Sequence, residues 1–111
     1  MNTLTKNEEI VLLSILRLEE NAYGVSIKHQ IRELTGDDWN YGLLYATLDQ
    51  LAKKGLLLKK EGKPMPERGG RRKIYYTISR GGHRALAEAY QLNAALWNGV
   101  TDFAQKKGEQ A

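Results

Sequence analysis

The sequence lacks most of the groups on which catalytic and metal sites depend. It contains no cysteine and two histidines, His29 and His83, among 111 residues. Without cysteine there is neither a disulfide nor a thiolate zinc site, and a reducing compartment is compatible. The histidines fall on different predicted helices without a clear third ligand, and no serine has an evident base beside it. We therefore predict no catalytic residue, no metal and no cofactor, and a protein that is not an enzyme.

Long apolar runs are absent as well. No segment approaches the ~20 apolar residues that are needed to cross a bilayer. The first residues lack a basic flank followed by an apolar core and a small-residue cleavage site, so we expect no signal peptide and a cytoplasmic protein. The length fits one domain. A domain of this size buries a limited fraction of its surface, so a long apolar stripe left over would indicate a partner subunit.

Positive charge is concentrated in one third of the chain. The net charge is +4, but residues 53–84 hold eleven Lys/Arg against two acids, whereas the remainder holds six against eleven. Polyanion binding requires such asymmetry, because phosphates attract Lys and Arg and release their counterions. A solvated basic loop is the alternative interpretation of this charge alone.

Three helices are predicted before the basic segment, over residues 4–18, 23–35 and 40–54. Thr5 and Glu8 have the spacing of a capping box, and Asn40 is a good N-cap for the third helix. In the third helix Leu44, Leu48 and Leu51 form the inward stripe. Its opposite face is mostly small or polar and can lie close against a partner. That face carries Gly42, Ala46, Asp49 and Lys53, flanked by Leu43, Thr47, Gln50 and Lys54.

The basic segment predicts a β-hairpin and a final helix. Residues 56–61 and 71–79 are strand candidates, and the Gly- and Pro-rich stretch 62–70 between them is a predicted loop. Ser79 can cap a last helix over residues 80–107, about 40 Å long if continuous. One side of this helix is apolar. It carries Leu86, Tyr90, Trp97, Val100 and Ala104, joined by Leu96 and Phe103.

At these positions the sequence resembles the PadR family of bacterial regulators. The matching stretches are Ala-Tyr-Gly-Val at 22–25, Gly-Leu-Leu-Tyr at 42–45, Leu-Asp-Gln-Leu at 48–51 and Lys-Gly-Leu at 54–56. The most specific stretch is Gly-Gly-Arg-Arg-Lys-Ile-Tyr-Tyr-Thr-Ile-Ser at 69–79, with Gly82 three residues on. The resemblance covers about residues 4–86, and the single terminal helix is similar to that of the short subfamily, whose members dimerise through it.

The resemblance implies a mainly α fold with a two-stranded β wing. Residues 4–79 would form a winged helix-turn-helix DNA-binding domain, and residues 80–107 a dimerisation helix. The implied function is sequence-specific binding of a near-palindromic DNA operator by a homodimer, as a repressor released by a small aromatic effector. The expected DNA-binding residues are Asn40, Tyr41, Gly42, Leu43, Ala46, Thr47, Lys53, Lys63, Arg68, Arg71, Arg72 and Lys73. The expected residues of the dimer interface or effector pocket are Leu86, Tyr90, Trp97, Val100 and Phe103.

Two positions depart from the family's pattern. Tyr41 stands where a small residue or proline is usual, and Asp49 stands where a basic residue is frequent. A carboxylate beside DNA phosphate is repulsive, so we expect Asp49 either to point along the groove floor or to pair with Lys53 at i+4.

Several interpretations stay open at this level. Tyr45 fits either the core or a DNA contact, and Trp97 fits either a packing anchor of the dimer or one wall of a ligand pocket. The protein as a whole could instead be chiefly a multidrug sensor whose working site is the dimer interface. A third interpretation is a winged-helix module that binds proteins, against which the basic segment argues.

Overall fold

The chain folds as a helical body with a two-stranded antiparallel wing and a projecting last helix. The computed structural model describes residues 4–64, 72–100, 102 and 105–106. Its elements, in chain order, are α1 (Lys6–Leu18), a 3-10 turn (Glu19–Asn21), α2 (Gly24–Thr35), α3 (Tyr41–Lys53), β1 (Leu57–Pro64), β2 (Arg72–Ile78) and α4 (Arg80–Trp97). The predicted fold class is confirmed. Among the described residues no helix combines the length and apolar character that crossing a membrane requires.

Side-chain caps begin three of the helices where the sequence predicts them. The Glu8 amide donates to Thr5 Oγ1 at 3.1 Å while the Thr5 amide donates to Glu8 Oε1 at 2.8 Å, which completes the capping box. Asn40 Oδ1 accepts from the Leu43 amide, and Ser79 Oγ accepts from the Gly82 amide. Each cap satisfies an amide that the first turn of a helix otherwise leaves unpaired.

The apolar core is shared by α1, α2, α3 and the wing. The inward stripe of α3 is fully buried, as predicted, and packs with buried residues of the other elements. The largest of these that are almost fully buried are Leu12, Ile15, Ile27 and Ile31. Leu13 and Leu16 of α1 are exposed, Leu16 by 46%. The apolar run of α1 thus exceeds what this small domain covers.

The wing is fastened to the helical body through its second strand. Leu57 pairs with Ile78 and Lys59 with Tyr76, which places Tyr76 on the buried face of the hairpin. The Tyr76 amide donates to the Ala22 carbonyl at 2.9 Å, and Tyr23 forms an isolated bridge with Tyr75. The entry to α2 therefore acts as a short third strand, which orients the wing beside α2. The first strand runs to Pro64, farther than predicted, with a register shift between Glu61 and Pro64.

The last helix is shorter than predicted. We expected it to continue to Lys107, but α4 ends at Trp97, with Asn98 as its C-cap at ψ 123°. Gly99 follows with φ +84°, a left-handed conformation that interrupts the helix. Residues 102 and 105–106 are helical again beyond this break.

One carboxylate is buried at the start of α1. Glu8 is 1% exposed, and its Oε2 accepts from Lys54 Nζ at 2.7 Å and from Gln50 Nε2 at 3.0 Å. Burial raises the pKa of this carboxyl, but hydrogen bonds from Lys54 and Thr5 and the Lys54 charge outweigh it, so the pKa lies below its usual range. The ion pair therefore stabilises the fold by joining the first turn of α1 to the end of α3.

We expect Glu8→Gln to lower the free energy of unfolding by about 1–3 kcal/mol near neutral pH, because Lys54 loses its buried counter-charge. The glutamine carbonyl oxygen can retain the capping box, so the variant removes the charge and the two hydrogen bonds that Oε2 accepts, but not the helix cap. Because the pKa of Glu8 is lower in the folded protein than in the unfolded chain, where it is about 4.3, the charged carboxylate stabilises the fold at pH values above about 4.3. This stabilisation is lost as the pH falls through the folded pKa. The difference from the parent protein should thus shrink on acidification in denaturant titrations at several pH values. The matched variant Glu20→Gln, at an exposed site, should differ little at any pH.

Candidate nucleic-acid interface

The outer face of α3 is open and shallow. Gly42, Ala46, Asp49 and Lys53 are all exposed, opposite the buried leucines, as the periodicity predicts. Leu43 lies on the flank of this face and is also exposed. Small side chains at two of the four central positions leave the helix backbone accessible. A surface of this shape can approach a flat or grooved partner closely.

Thr47 does not belong to this face, which corrects its place among the expected DNA-binding residues. It is only 6% exposed, and its hydroxyl donates to the Leu43 carbonyl one turn earlier at 2.8 Å. A threonine that bonds back to the preceding turn satisfies its polar group inside the helix, so burial is tolerated. Its hydroxyl is therefore committed within α3.

The beginning of α3 carries a pair of stacked tyrosines. The rings of Tyr41 and Tyr45 lie 6.0 Å apart with an interplanar angle of 24°, and both are partly exposed. Lys28 Nζ of α2 lies 5.6 Å from the centre of the Tyr41 ring, within range of a cation–π interaction. Tyr45 is thus neither a core residue nor a free one. Its side chain lies between α2 and the outer face of α3.

Tyr45 also determines which residue can begin α2. A Cβ atom placed on Gly24 would lie 2.2 Å from the Tyr45 hydroxyl oxygen, closer than any real Cβ contact. Glycine at this position therefore allows the phenol to rest directly against the first turn of α2. The amides of that turn form the positive end of the α2 dipole.

A small crevice opens where this turn, Tyr45 and the wing meet. It is lined by Tyr23, Gly24, Val25, Tyr45, Arg72, Lys73 and Ile74. Lys73 Nζ lies 4.2 Å from the centre of the Tyr23 ring, which positions the ammonium group at the crevice. Helix amides and cations facing one space favour an anionic group such as a phosphate. Arg72 and Lys73 are among the expected DNA-binding residues, whereas Tyr23 is not. The glycine that follows Tyr23 was the signal in the sequence that could have drawn attention to it.

Further cations lie along the wing. Lys60 and Lys63 are exposed on β1, and Arg72 pairs loosely with Glu61, its guanidinium 3.6 Å from the carboxylate. Exposed pairs of this kind contribute little and exchange easily for another anion. Arg68 and Arg71, which were also expected to contact DNA, lie outside the described residues.

The charge of Asp49 is balanced from the wing rather than from its own helix. Among the described residues its ion-pair partner is Lys59 of β1, whose Nζ lies 3.3 Å from Asp49 Oδ1. This corrects the expected pairing with Lys53. The sequence could not predict it, because Lys59 reaches Asp49 only after β1 has packed beside α3. The pairing leaves Lys53 exposed on the outer face.

A second surface, apolar rather than basic, lies on α4. Tyr90 is 75% and Trp97 52% exposed, and Leu96 and Val100 are exposed beside them. Leu86, expected in the same surface, instead packs against the core and is only partly accessible. Phe103 lies outside the described residues. Several large apolar side chains exposed on one segment of a small domain are typical of an interaction site.

The comparison with known families decides where this chain belongs. The family model described as the transcriptional regulator PadR-like family matches residues 12–88, which include the second half of α1, the rest of the helical body, the wing and the first turns of α4. The chain belongs to the PadR-like family. Its members are transcriptional regulators, in agreement with the prediction that this protein is not an enzyme.

Solved structures agree with this assignment. RosR of H. salinarum is 25% identical with a TM-score of 0.67, over 96% of this chain and 88% of that one. A PadR family transcription regulator of Clostridium difficile is 26% identical with a TM-score of 0.60, over 93% and 95% of the two chains. A Streptococcus mutans protein, 20% identical with a TM-score of 0.68 over 95% and 94%, shares the fold. None of the curated protein sequences matches the chain significantly.

We expect Gly24→Ala to displace Tyr45 and lower the free energy of unfolding by about 1–2 kcal/mol, as overpacking does elsewhere. In a Tyr45→Ala background the same substitution should be nearly neutral, because the phenol that would collide with the new methyl group is gone. A double-mutant cycle in denaturant measures this coupling. Gly42→Ala is the matched control, since its Cβ would lie 3.3 Å from Asn40 Oδ1 and no closer to any other atom. Equal losses from Gly24→Ala in both backgrounds would contradict the contact.

Proposed function

We propose that this PadR-like regulator is a homodimer that binds double-stranded DNA sequence-specifically through α3 and the wing. The observation that carries the proposal is the crevice between Gly24, Tyr45 and Lys73, where a helix N-terminus, a phenol and wing cations face one space. It lies between the outer face of α3 and the strongly basic hairpin. One duplex can therefore contact the outer face of α3 and the hairpin at the same time. Cations scattered over the surface would not allow this.

In this proposal α3 enters the major groove, whose width admits one α-helix. Gly42 and Ala46 allow the backbone to approach, and Ala46 and Leu43 offer apolar contact to thymine methyl groups. Tyr41 and the exposed amide of Asn40 lie at the N-terminal end of the helix, the end that reaches base edges in this class of motif. Lys53 contacts the backbone at the other end. The Asp49–Lys59 pair keeps the central face close to neutral.

Phosphates are held by the wing and the start of α2. Lys73 and the first-turn amides of α2 take one phosphate at the crevice, while Arg72 and Lys63 reach others along the hairpin. Arg68 and Arg71 contribute further phosphate contacts. Such contacts fix the position of the protein on DNA without reading sequence. Each one also adds to the dependence of affinity on salt.

The apolar surface of α4 supplies the dimer contact. Tyr90, Trp97 and Val100, with Leu96 beside them, would be buried against the same residues of a second copy around a two-fold axis. Two recognition helices then meet half-sites about one DNA turn apart, in a near-palindromic operator. Binding there blocks a promoter, so the regulator acts as a repressor.

Release by a small aromatic effector is the second candidate function, and the exposure of Trp97 and Tyr90 favours it. Aromatic faces at a two-fold axis can hold a planar ligand between subunits as well as pack against each other. Quenching of tryptophan fluorescence by planar aromatic compounds, together with loss of DNA affinity, would support the effector site. Quenching without any change in DNA affinity would argue against control of DNA binding from this site.

The deciding experiment is selection of bound duplexes from a random DNA pool, followed by salt titration of the enriched sequence. An inverted repeat and a steep fall of affinity with salt are expected. If a folded dimer selects no sequence at low salt, the DNA-binding proposal is wrong, and a protein-binding wing becomes the better explanation of the basic segment.

We expect the double substitution Arg72→Ala and Lys73→Ala to weaken binding to every duplex and to reduce the slope of log affinity against log salt by about 1–2. Both side chains are proposed to contact phosphates, so the preferred sequence should not change. Fluorescence anisotropy titrations at several salt concentrations measure the slope. The control is Lys106→Ala, which removes a cation outside the wing and should leave the slope as it is. An unchanged slope in the double variant would refute the assignment of the wing.

We expect Trp97→Ala to weaken the dimer at least tenfold, because a large aromatic anchor is removed from the centre of the proposed contact. Sedimentation over a range of concentrations measures the monomer–dimer equilibrium. Leu58→Ala is the control, since Leu58 is an equally exposed apolar residue on the wing. A Trp97→Ala protein that remains fully dimeric but no longer responds to aromatic compounds would assign Trp97 to the effector pocket instead.

A further inference from the structure

Two adjacent carboxylates in the first turn of α1, Glu8 and Glu9, accept hydrogen bonds from the end of α3 and from α4. Glu8 accepts from Gln50 and Lys54, near the end of α3. Glu9 Oε2 accepts from Asn93 Nδ2 of α4 at 3.0 Å. The helix that is proposed to read DNA and the helix that is proposed to form the dimer are thus hydrogen-bonded to consecutive residues of one helical turn.

Asn93 attaches α4 to α1 more than three helical turns beyond the start of α4. The side chains of residues 94–98 are all exposed, whereas Asn93 is partly buried against α1. α4 is also attached at its start, where a Cβ on Gly82 would collide with the Leu56 carbonyl oxygen, so glycine is needed for this contact. Between these two points Leu86 packs against the core. Eleven residues of helix, about 16 Å, separate the two points. Two attachments this far apart fix the direction of the helix axis.

The hydrogen bond between Glu9 and Asn93 is largely shielded from water. The Glu9 side chain is 16% exposed, and its other carboxylate oxygen lies 3.8 Å from Lys6 Nζ. A hydrogen bond to a charged acceptor with little water around it is stronger than one between neutral, solvated groups. A change at this bond therefore alters the direction of the helix that carries Trp97.

We propose that Glu8 and Glu9 are positioning residues that set the angle between α3 and α4, and that this angle selects the spacing between the two half-sites of the operator. The inference rests on the proposed function, because spacing has a meaning only for a dimer on DNA. Glu8 fixes the end of α3 to α1, and Glu9 fixes α4 to the next residue of the same turn. The separation and rotation of two recognition helices in a dimer built on α4 then follow from this joint.

The test exploits the fact that an amide and a carboxylate can be exchanged across the contact. Asn93→Asp places two carboxylates against each other and should break it. The double variant Glu9→Gln with Asn93→Asp restores a hydrogen bond with donor and acceptor reversed and with the parent net charge. Asn93→Ala removes the bond without adding charge, in case Asn93→Asp does not fold. Lys6→Gln, which removes the other neighbour of Glu9, is the control.

Each protein is titrated against inverted repeats whose spacer is lengthened or shortened one base pair at a time, and against a single half-site. The parent protein and Lys6→Gln should prefer one spacer about tenfold or more over its neighbours. In Asn93→Asp and Asn93→Ala the preference should flatten or move, while dimerisation and affinity for the single half-site stay unchanged. The exchanged pair should recover the parent preference.

Two results would overturn the inference in different ways. If Asn93→Asp and Asn93→Ala are folded dimers with the parent's spacer preference, the contact does not set the spacing, although the proposed function stands. If the parent protein itself binds no duplex, the proposed function and the inference both fail. Loss of single half-site affinity along with spacing would also contradict a role confined to the angle of α4.

Discussion

The burial of one side of α3 is the constraint on which the rest of this structure depends. Leu44, Leu48 and Leu51 must leave water, and only the inner faces of α1 and α2 and the base of the wing can cover them. Once they do so, the opposite face of α3 has to point outward. The packing that stabilises the domain therefore also exposes the face of α3 that is proposed to read DNA.

Polar contacts then determine how that helix is oriented. The core fixes which side of α3 is buried, but apolar packing by itself is not directional. The Glu8–Lys54 ion pair and the Gln50 hydrogen bond add direction at one end, and the Tyr45 contact on Gly24 adds it at the other. Because Glu8 is buried, its loss leaves Lys54 without its partner, which makes this joint costly to disturb.

Ion pairs are distributed unevenly between the wing and the helical body. Among the described residues Lys60 and Lys63 of the hairpin have no ion-pair partner and Arg72 is loosely paired, whereas Glu8 and Glu9 of the helical body both lie in ion pairs. Asp49 lies on the outer face of α3, and its pairing with Lys59 offsets part of the repulsion that a phosphate would meet. A basic wing beside a nearly neutral recognition face is suited to holding the DNA backbone with one element and reading bases with the other.

Local patterns were sufficient for much of the architecture. The caps at Thr5, Asn40 and Ser79 and the inward leucines of α3 are determined within a few residues of chain, so the sequence predicted them correctly. The end of α4 was not predicted, because the side of the helix stays apolar past Gly99 and periodicity does not register a single left-handed residue. The burial of Thr47 was missed because its hydroxyl bonds back to Leu43, a choice that its polar character does not reveal.

By itself, then, the sequence determined the fold class, the order of elements, the concentration of cations in the wing and the family resemblance. Tertiary structure alone decided which groups meet across elements. Lys59 reaches Asp49, Tyr45 rests on Gly24, and Glu8 and Glu9 contact α3 and α4. The physical reason is the distance along the sequence between the residues that interact. Caps and hydrophobic stripes are set by neighbours within a helical turn, whereas these contacts join residues that are ten to more than eighty positions apart and exist only after packing brings them together.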